Sequence, residues 1–153
     1  MTHDQHPQPR PFTRLGRSLN RMLASQSERI YSLLRMLSGA MFSFHGMQKI
    51  FGLLSEKSPD LFSQLWLGGV IELLTGSLLV FGLFTRPAAF LASGTMTVAY
   101  CQFHWQFQFD AHFFPAINHG ELALLYSVLL LFLAAQGGGL WSLDSRRQPQ
   151  PST

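Results

Sequence analysis

The stretch at residues 33–54, LLRMLSGAMFSFHGMQKIFGLL, is apolar and long enough to cross a bilayer, yet it carries Arg35, His45 and Lys49. At ~1.5 Å per helical residue, ~20 residues match a hydrocarbon core of ~30 Å. An ionisable group at the centre of such a helix costs roughly 2.5–3.5 kcal/mol on insertion scales. These side chains should therefore face protein or water and not lipid.

The polar residues of this stretch recur at intervals of three and four positions, which places them on one face of a helix. The stripe consists of Arg35, Ser38, Phe42, His45 and Lys49. It predicts a helix that turns this face toward other helices of the same chain.

Three further apolar stretches follow, and together they predict an all-α fold, a transmembrane up-down four-helix bundle. The predicted spans cover residues 33–54, 64–84, 88–104 and 117–136. They form one membrane domain, residues 30–144, between a basic N-terminal tail, residues 1–29, and a disordered C-terminal tail, residues 145–153.

The second predicted span also carries its small and polar residues on one side. Gly68, Glu72, Thr75 and Gly76 share a helical stripe. Small residues at this spacing let two helices approach closely. The lone carboxylate of the span therefore lies on the face that meets a neighbouring helix.

Composition separates the chain from soluble and nucleic-acid-binding proteins. Only 12% of its residues are charged, and 14 are Phe. The pI of 9.5 reflects Arg residues that flank apolar stretches, whereas nucleic-acid-binding proteins gather basic residues into a patch or stripe. We therefore expect no nucleic-acid partner. The single cysteine, Cys101, excludes an intrachain disulfide and a CxxC motif.

Two segments outside the predicted spans admit more than one interpretation. Residues 12–23 interleave apolar residues with Arg14, Arg17 and Arg21, which is typical of a basic amphipathic helix on an anionic membrane or of a solvated basic tail. Residues 103–115, FHWQFQFDAHFFP, alternate aromatic and polar side chains over their first half. This pattern favours an interfacial or re-entrant aromatic segment, with an antiparallel hairpin as the alternative.

The distribution of Lys and Arg predicts the orientation of the spans. Basic residues are concentrated in the N-terminal tail, in the second connection at Arg86 and in the C-terminal tail. With four spans all three regions fall on one side, and basic loops stay in the cytoplasm. We therefore expect a multi-pass protein of the cell's inner (cytoplasmic) membrane with both termini cytoplasmic.

Counting residues inward from the outer boundaries places most polar groups of the spans in the outer half of the bundle. They are Lys49, Glu72, Glu121, His45, His104, Asn118 and His119. An unpaired buried charge costs several kcal/mol, so we predict a Lys49–Glu72 or a Lys49–Glu121 contact. The second carboxylate would be protonated, paired with a histidine or hydrated, and a carboxylate beside histidines can carry a proton.

Arg35 is the exception, because it lies near the cytoplasmic end, where Asp144 of the C-terminal tail could reach it. We expect structural roles for Arg35, Asp144 and Arg86. Histidine and glutamate side chains can also bind zinc, iron or copper. No HxxxH or ExxH spacing occurs, so we expect no metal site.

Several short motifs occur in a fixed order along the chain. They are HGMQK at 45–49, GGVIE at 68–72 with Gly76, GLFTR at 82–86, Met96, NHGE at 118–121, GGG at 137–139 and SLD at 142–144. In this order they resemble the DoxX-like family of small integral membrane proteins, over residues 31–144. The resemblance implies four membrane helices. Members are associated with quinone-linked sulfur oxidation, in which the related DoxD and DoxA subunits form a thiosulfate:quinone oxidoreductase, and with complexes of thiol and oxidative-stress defence.

These observations lead to the hypothesis of a membrane subunit in a quinone- or thiol-linked oxidoreductase system. Glu72, Lys49 and Glu121 are the candidate catalytic residues, and His45, His104 and Asn118 the candidate substrate-binding residues. A quinone is the candidate ligand. Its electrons would come from a soluble or membrane partner, since the sequence has no haem, flavin or iron–sulfur motif.

Two other functions stay open at this point. The first is a non-catalytic membrane anchor or assembly partner, in which the polar cluster only holds helices together. A homo-oligomer is the expected alternative to assembly with a separate electron-donating protein. The second is a small transporter or proton-coupled channel, which is disfavoured because the four spans show no inverted repeat.

Overall fold

The computed structural model describes residues 11–54 and 59–147, and every regular element in this part of the chain is helical. The α-helices are α1 (Pro11–Phe51), α2 (Gln64–Phe81), α3 (Thr85–Ala99), α4 (Pro115–Asn118), α5 (Glu121–Gln136) and α6 (Leu143–Arg147). A π-helical segment, Tyr100–Trp105, continues α3, and a 3-10 turn, Ala111–Phe113, precedes α4. The prediction of an all-α chain is confirmed.

Helix α1 has 41 residues and unites the basic segment at 12–23 with the first predicted span. It is ~60 Å long, about twice the thickness of a hydrocarbon core. Its serine hydroxyls bond back to the helix, for example Ser25 to the Met22 carbonyl at 2.8 Å. No helix boundary falls at residue 30, and most side chains at 16–30 are exposed. The helix ends at Phe51, because Gly52 adopts a left-handed φ of 64°.

Side-chain oxygens cap the first turns of α2 and α3, and a glycine ends α2. The Ser63 hydroxyl accepts a hydrogen bond from the first turn of α2 at 3.2 Å, and Gly82, with a left-handed φ of 63°, ends this helix. Helix α3 begins at Thr85, before the predicted start at residue 88. The reason is that the Asp144 carboxylate accepts hydrogen bonds from the backbone N–H groups of Phe84 and Thr85 at 2.9 and 2.8 Å. Unpaired N–H groups at a helix start need such a partner.

The fourth predicted span, residues 117–136, is divided into two helices. Helix α4 ends at Asn118, His119 adopts a left-handed φ of 57°, and α5 begins at Glu121. The break needs Gly120, because a Cβ there would lie 2.6 Å from the Asn118 side-chain oxygen. Helix α5 ends at Gln136, before Gly137 with a φ of 87°.

The C-terminal tail is not disordered from residue 145 onward, because α6 continues to Arg147. The Ser142 hydroxyl accepts a hydrogen bond from the Ser145 N–H at 3.1 Å and supports the start of this short helix. The rest of the predicted disordered tail, residues 148–153, lies outside the described residues. So do residues 1–10 of the N-terminal tail and residues 55–58 of the first connection.

Helices α1 and α2 run antiparallel and pack through glycines. A Cβ added at Gly39 would lie 2.8 Å from the Gly76 carbonyl oxygen, and one added at Gly69 would lie 2.7 Å from the Lys49 Cβ. The stripe predicted for α2 included Gly68, but a Cβ at Gly68 would have no atom within 4 Å. The close approach is therefore made by Gly69 and Gly76.

Helices α3 and α5 form a second antiparallel pair. Near their middle the Ser93 hydroxyl donates a hydrogen bond to the Ser127 carbonyl at 2.7 Å. Phe42 of α1 packs against Tyr126 of α5 with ring centroids 5.7 Å apart, which joins the two pairs. The core between them contains Phe42, Leu79, Ala89, Ala92, Met96, Tyr126, Leu130 and Leu133. The predicted polar stripe of α1 faces this core, with Arg35, Ser38 and Phe42 buried.

Within the described residues, α2 alone has both the length and the hydropathy of a membrane-spanning helix, and α5 is apolar but shorter. Four membrane crossings therefore stay a prediction. The outward faces of the helices nevertheless expose large apolar side chains, including Leu37, Leu74, Phe90, Leu125 and Val128. Extensive exposed apolar surface marks contact with a membrane or another protein.

The aromatic segment at 103–115 is not a hairpin, because its regular structure is a π-helical turn and a 3-10 turn. Trp105 packs against three phenylalanines, with ring centroids 5.2 Å from Phe107, 5.2 Å from Phe109 and 5.8 Å from Phe113. Phe109 is 82% exposed. The aromatic rings thus form an outward cluster beside the end of α3, and its interfacial position remains a prediction.

Candidate functional site

The ends of α1 and α3 and the starts of α2 and α5 meet at one end of the molecule, which we call the cavity end. They enclose a cavity of about 750 Å³, within the ordinary size range of ligand pockets. Most of its lining is apolar. The charged, amide and imidazole side chains that line it are His45, Lys49, Gln64, Glu72, His104 and His119.

An ion pair crosses from α1 to α2 at the wall of this cavity. The Lys49 ammonium nitrogen lies 2.5 Å from the Glu72 Oε1 oxygen, and the two side chains are 31% and 2% exposed. Lys49 can reach across because Gly69 has no side chain at the point where the Lys49 stem passes α2. Of the two contacts that the sequence predicts for Lys49, the structure contains the one with Glu72.

The second carboxylate oxygen of Glu72 is buried and has no hydrogen-bond partner among the described residues. Leaving a buried acceptor unpaired costs about 1–3 kcal/mol, and more for a charged group. Glu72 lines the cavity. A ligand hydroxyl or other donor group that reached this oxygen, after a small turn of the Glu72 side chain, would gain a charge-assisted hydrogen bond.

Three histidines surround the polar end of the cavity. His45 is half-buried on the polar stripe of α1. His104 lies in the π-helical segment, and its Nδ1 is 3.3 Å from the Asn118 carbonyl oxygen. His119 occupies the break between α4 and α5. The sequence predicts all three histidines at this end of the bundle, but only His45 and His104 were among the candidate binding residues.

Glu121 and Asn118 are not part of the cavity lining. Leu122, Ala123 and Tyr126 of α5 line it, and at 100° per residue the Glu121 side chain points about 150° away from their mean direction. Glu121 is exposed in the first turn of α5, where a carboxylate interacts favourably with the helix dipole.

The Asn118 side chain closes the loop before α5. Its amide nitrogen donates to the His112 carbonyl at 2.7 Å, and its oxygen accepts from the Gly120 N–H at 2.8 Å. Both polar atoms are therefore engaged by backbone, which holds the side chain in the loop and outside the cavity lining. A count of residues along each span, which grouped Asn118 and Glu121 with Lys49, carries no information on the direction of a side chain around the helix axis.

Gln64 and Tyr126 line the cavity and were missed by sequence reasoning. Tyr126 is the one residue with a phenol in the apolar run ELALLYSVLLLFLAA, so it could have been noticed. Gln64 begins the second predicted span, and no residue next to it in the sequence marks it as part of a site.

The opposite end of the molecule, the arginine-capped end, holds the residues expected to be structural. Arg35 donates to the Leu79 carbonyl, to the Val80 carbonyl at 3.1 Å and to the Trp141 carbonyl at 2.6 Å. Arg86 donates to the last carbonyls of α5, reaching Ala135 at 2.5 Å. Helix C-termini leave their final carbonyls unpaired and favour cations.

Asp144 provides the complementary cap at this end, on the backbone N–H groups that start α3. The geometry of Arg35, Arg86 and Asp144 thus supports the structural roles expected from the sequence, and it separates them from the cavity. Elsewhere, in the described segments 11–54 and 59–147, no group of three or more His, Cys, Asp or Glu side chains is arranged to hold a metal ion.

Comparison with known proteins gives one family and one relative with a similar length. A family model described as DoxX matches residues 30–105. A Haemophilus influenzae protein described as uncharacterized is 38% identical over 119 residues, which cover 75% of this chain and 88% of that protein. No solved structure matches the chain significantly.

Proposed function

The chain belongs to the DoxX family of small membrane proteins, and from that premise we propose that it is a membrane subunit that binds a small redox-active molecule, such as a quinone, in the cavity beside Lys49 and Glu72. The observation that carries this proposal is the unpaired, buried Oε2 oxygen of Glu72 in a largely apolar cavity of about 750 Å³.

The proposal includes four membrane crossings, formed by the second part of α1, by α2, by α3 with its π-helical extension, and by α5. The antiparallel packing of these helices and their exposed apolar faces support it. Gly39, Gly69 and Gly76 pack helix backbones together as small residues do in membranes. Charged Arg35 and Lys49 are tolerated because both are turned toward protein.

The arginine-capped end is proposed to be cytoplasmic, in the inner membrane. The exposed part of α1, with Arg17, Arg21 and Arg29, extends from this end, and Arg86 and Arg146 lie there too. Basic residues accumulate on the cytoplasmic side of membrane proteins. The cavity end then lies in the outer half of the membrane.

In the proposed site Glu72 and Lys49 have different tasks. Lys49 or His45 donates a hydrogen bond to a quinone carbonyl oxygen, while Glu72 accepts one from the hydroxyl of the reduced form. Reduction of a quinone to a hydroquinone takes two electrons and two protons. Glu72 passes protons to the oxygens, and a thiol- or sulfur-oxidising partner protein supplies the electrons.

A second candidate function is that of a non-catalytic membrane anchor. The ion pair lies beside the closest approach of α1 and α2, so it also has the position of a polar clasp between two helices. In that case the cavity has no redox ligand, and the role of the chain is to assemble with other subunits.

The proposal is tested by equilibrium binding of a hydroquinone probe, which carries the hydroxyl donors that Glu72 would accept, to the purified full chain in lipid nanodiscs under reducing conditions. Glu72→Gln keeps the size of the side chain and removes its charge. We expect its affinity to fall by about 1.5–3 kcal/mol, the value of a charge-assisted hydrogen bond, while Leu74→Ala on the exposed face of α2 binds like the wild type. Equal binding by wild type and Glu72→Gln would contradict the proposal and favour the anchor.

A further inference from the structure

We propose that the cavity opens sideways into the bilayer through a window between α2 and α3, and that its ligand is an amphiphile whose apolar tail leaves through this window. The proposal rests on the proposed function, since it assumes that the cavity binds a ligand. It adds the route of the ligand and the chemical class of the molecule.

Contacts between α2 and the chain from residue 82 to residue 105 close the window at two borders, one at the cavity end and one at the arginine-capped end. At the cavity end, the Gln64 side-chain amide donates a hydrogen bond to the Gln102 side-chain oxygen. At the arginine-capped end, the tight connection from Gly82 to Thr85 joins the helices directly. Between these two borders the exposed residues of the cavity wall come mainly from α2 and α3.

Two glycines stand at the sides of the window, Gly68 on α2 and Gly94 on α3. A Cβ added at either position would have no atom within 4 Å, and both residues line the cavity. Glycine inside a helix is destabilising relative to alanine. Gly69 and Gly76 compensate by close backbone packing, whereas Gly68 and Gly94 have no such contact. Because neither residue has a side chain, the space between α2 and α3 stays open at these two positions.

The lining changes in character from the window to the interior. Leu67, Leu91 and Val98 line the cavity and are about half exposed. The side chains of Lys49 and Glu72, which also line the cavity, are less exposed, at 31% and 2%. A molecule in this cavity is therefore held by an apolar part near the lipid and by a polar headgroup inside.

Glu72 determines the chemistry of that headgroup. The residue is 1% exposed, and its Oε2 oxygen is unpaired among the described residues. A buried carboxylate oxygen of this kind selects a hydrogen-bond donor, for example a phenolic hydroxyl. The ligand class is thus an amphiphile with a hydroxylated headgroup and a long apolar tail.

The experiment compares two probes with the same hydroquinone headgroup, one without a tail and one with a decyl tail. Both are titrated into the full chain in nanodiscs, with probe concentration expressed relative to lipid. The variants are Gly68→Leu and Gly94→Leu, which narrow the window. The control is Thr97→Leu, which adds the same side chain on α3 at an exposed position outside the cavity lining.

We expect each window variant to lower the affinity for the tailed probe about tenfold, equivalent to about 1.4 kcal/mol, and to leave the tail-free probe and the oligomeric mass unchanged. Equal affinities of wild type and window variants for the tailed probe, while Glu72→Gln still weakens both probes, would overturn the window and keep the proposed function. A change of oligomeric mass in the window variants would show that a second copy of the chain covers this face, which also overturns the proposal. Binding of neither probe to the wild type would overturn the proposed function and the window together.

Discussion

Gly39 of α1 and Gly76 of α2 face each other so closely that a Cβ added at Gly76 would lie 2.7 Å from the Gly39 carbonyl oxygen. The contact involves backbone on both sides, so neither helix can yield without moving as a whole. This pair sets the distance between α1 and α2 and thereby the reach of Lys49 to Glu72.

We expect Gly76→Ala to lower the free energy of unfolding by about 1–3 kcal/mol, the usual cost of overpacking. The matched control is Gly68→Ala on the same helix, which meets no atom within 4 Å. Because alanine favours helix over glycine, this control should be neutral or stabilising by up to about 1 kcal/mol. Thermal unfolding of both variants in the same detergent measures the difference. Equal effects would show that the glycine contact does not limit the approach of the helices.

The Lys49–Glu72 pair makes a prediction for stability that is separate from ligand binding. Lys49→Met leaves the buried Glu72 carboxylate without its counter-ion. We expect a loss of about 3 kcal/mol, the low end for a buried pair because the Lys49 side chain is 31% exposed.

The double variant Lys49→Met with Glu72→Leu removes both charges and should recover most of that stability. If the chain is an anchor, this variant also keeps its complex with partner subunits. If the chain binds a redox molecule, it folds but loses the probe. If the double variant did not recover stability, the ion pair would contribute more to folding than the mutual compensation of two buried charges.

Arg35 should be irreplaceable by lysine. Its guanidinium reaches the end of α2 and the Trp141 carbonyl at once, whereas a lysine ammonium is a single point with a shorter reach. We expect Arg35→Lys to cost about 2–3 kcal/mol, in the range for lost hydrogen bonds to a charged group. Arg29→Lys serves as the control, because Arg29 is exposed and donates its hydrogen bond to Gln26 of the same helix at 2.9 Å. Urea or thermal unfolding would reveal the contrast, and similar values for both variants would argue against the capping role.

Asp110 predicts a local effect of acid pH in the aromatic loop. The backbone N–H of His112, and after it the His112 ring, hold the pKa of the Asp110 carboxyl below its usual value. A lowered pKa in the folded state stabilises the turn above the unfolded pKa, and this contribution is lost as the pH falls through the folded pKa. We expect the His112 amide to lose hydrogen-exchange protection in acid and to have little protection at any pH in Asp110→Ala, which has no side-chain acceptor. Protection independent of pH would show that the Asp110 hydrogen bonds do not hold the turn.

Sequence periodicity predicted the helical character of the chain and the polar face of α1, because burial of Arg35, Ser38 and Phe42 is dictated by a repeat that can be read locally. It did not predict where α3 begins. That start depends on Asp144, which is distant in sequence and acts only after the chain has folded. The continuity of α1 was also not evident, since composition changes sharply near residue 30 although the helix does not end there.

For the site, the sequence placed Lys49, Glu72, His45 and His104 near one another, and all four line the cavity. Glu121 was misplaced because a depth count ignores rotation about the helix axis, and the rotation of α5 is fixed by packing of Tyr126 against Phe42. Gly68 was placed on the contact face of α2 for a similar reason, whereas the structure has Gly69 there. One step of 100° decides whether a residue faces a helix or a cavity.

The unbroken course of α1 has a mechanical consequence. The exposed arginines near its start and Lys49 near its finish belong to one rod without an internal joint. If a partner protein binds the exposed half of α1 and rotates the helix, the Lys49 ammonium rotates with it. The distance from this ammonium to the Glu72 carboxylate then changes. In the proposed membrane orientation, a partner bound to the cytoplasmic half of α1 would thus change the ion pair in the cavity near the opposite membrane surface.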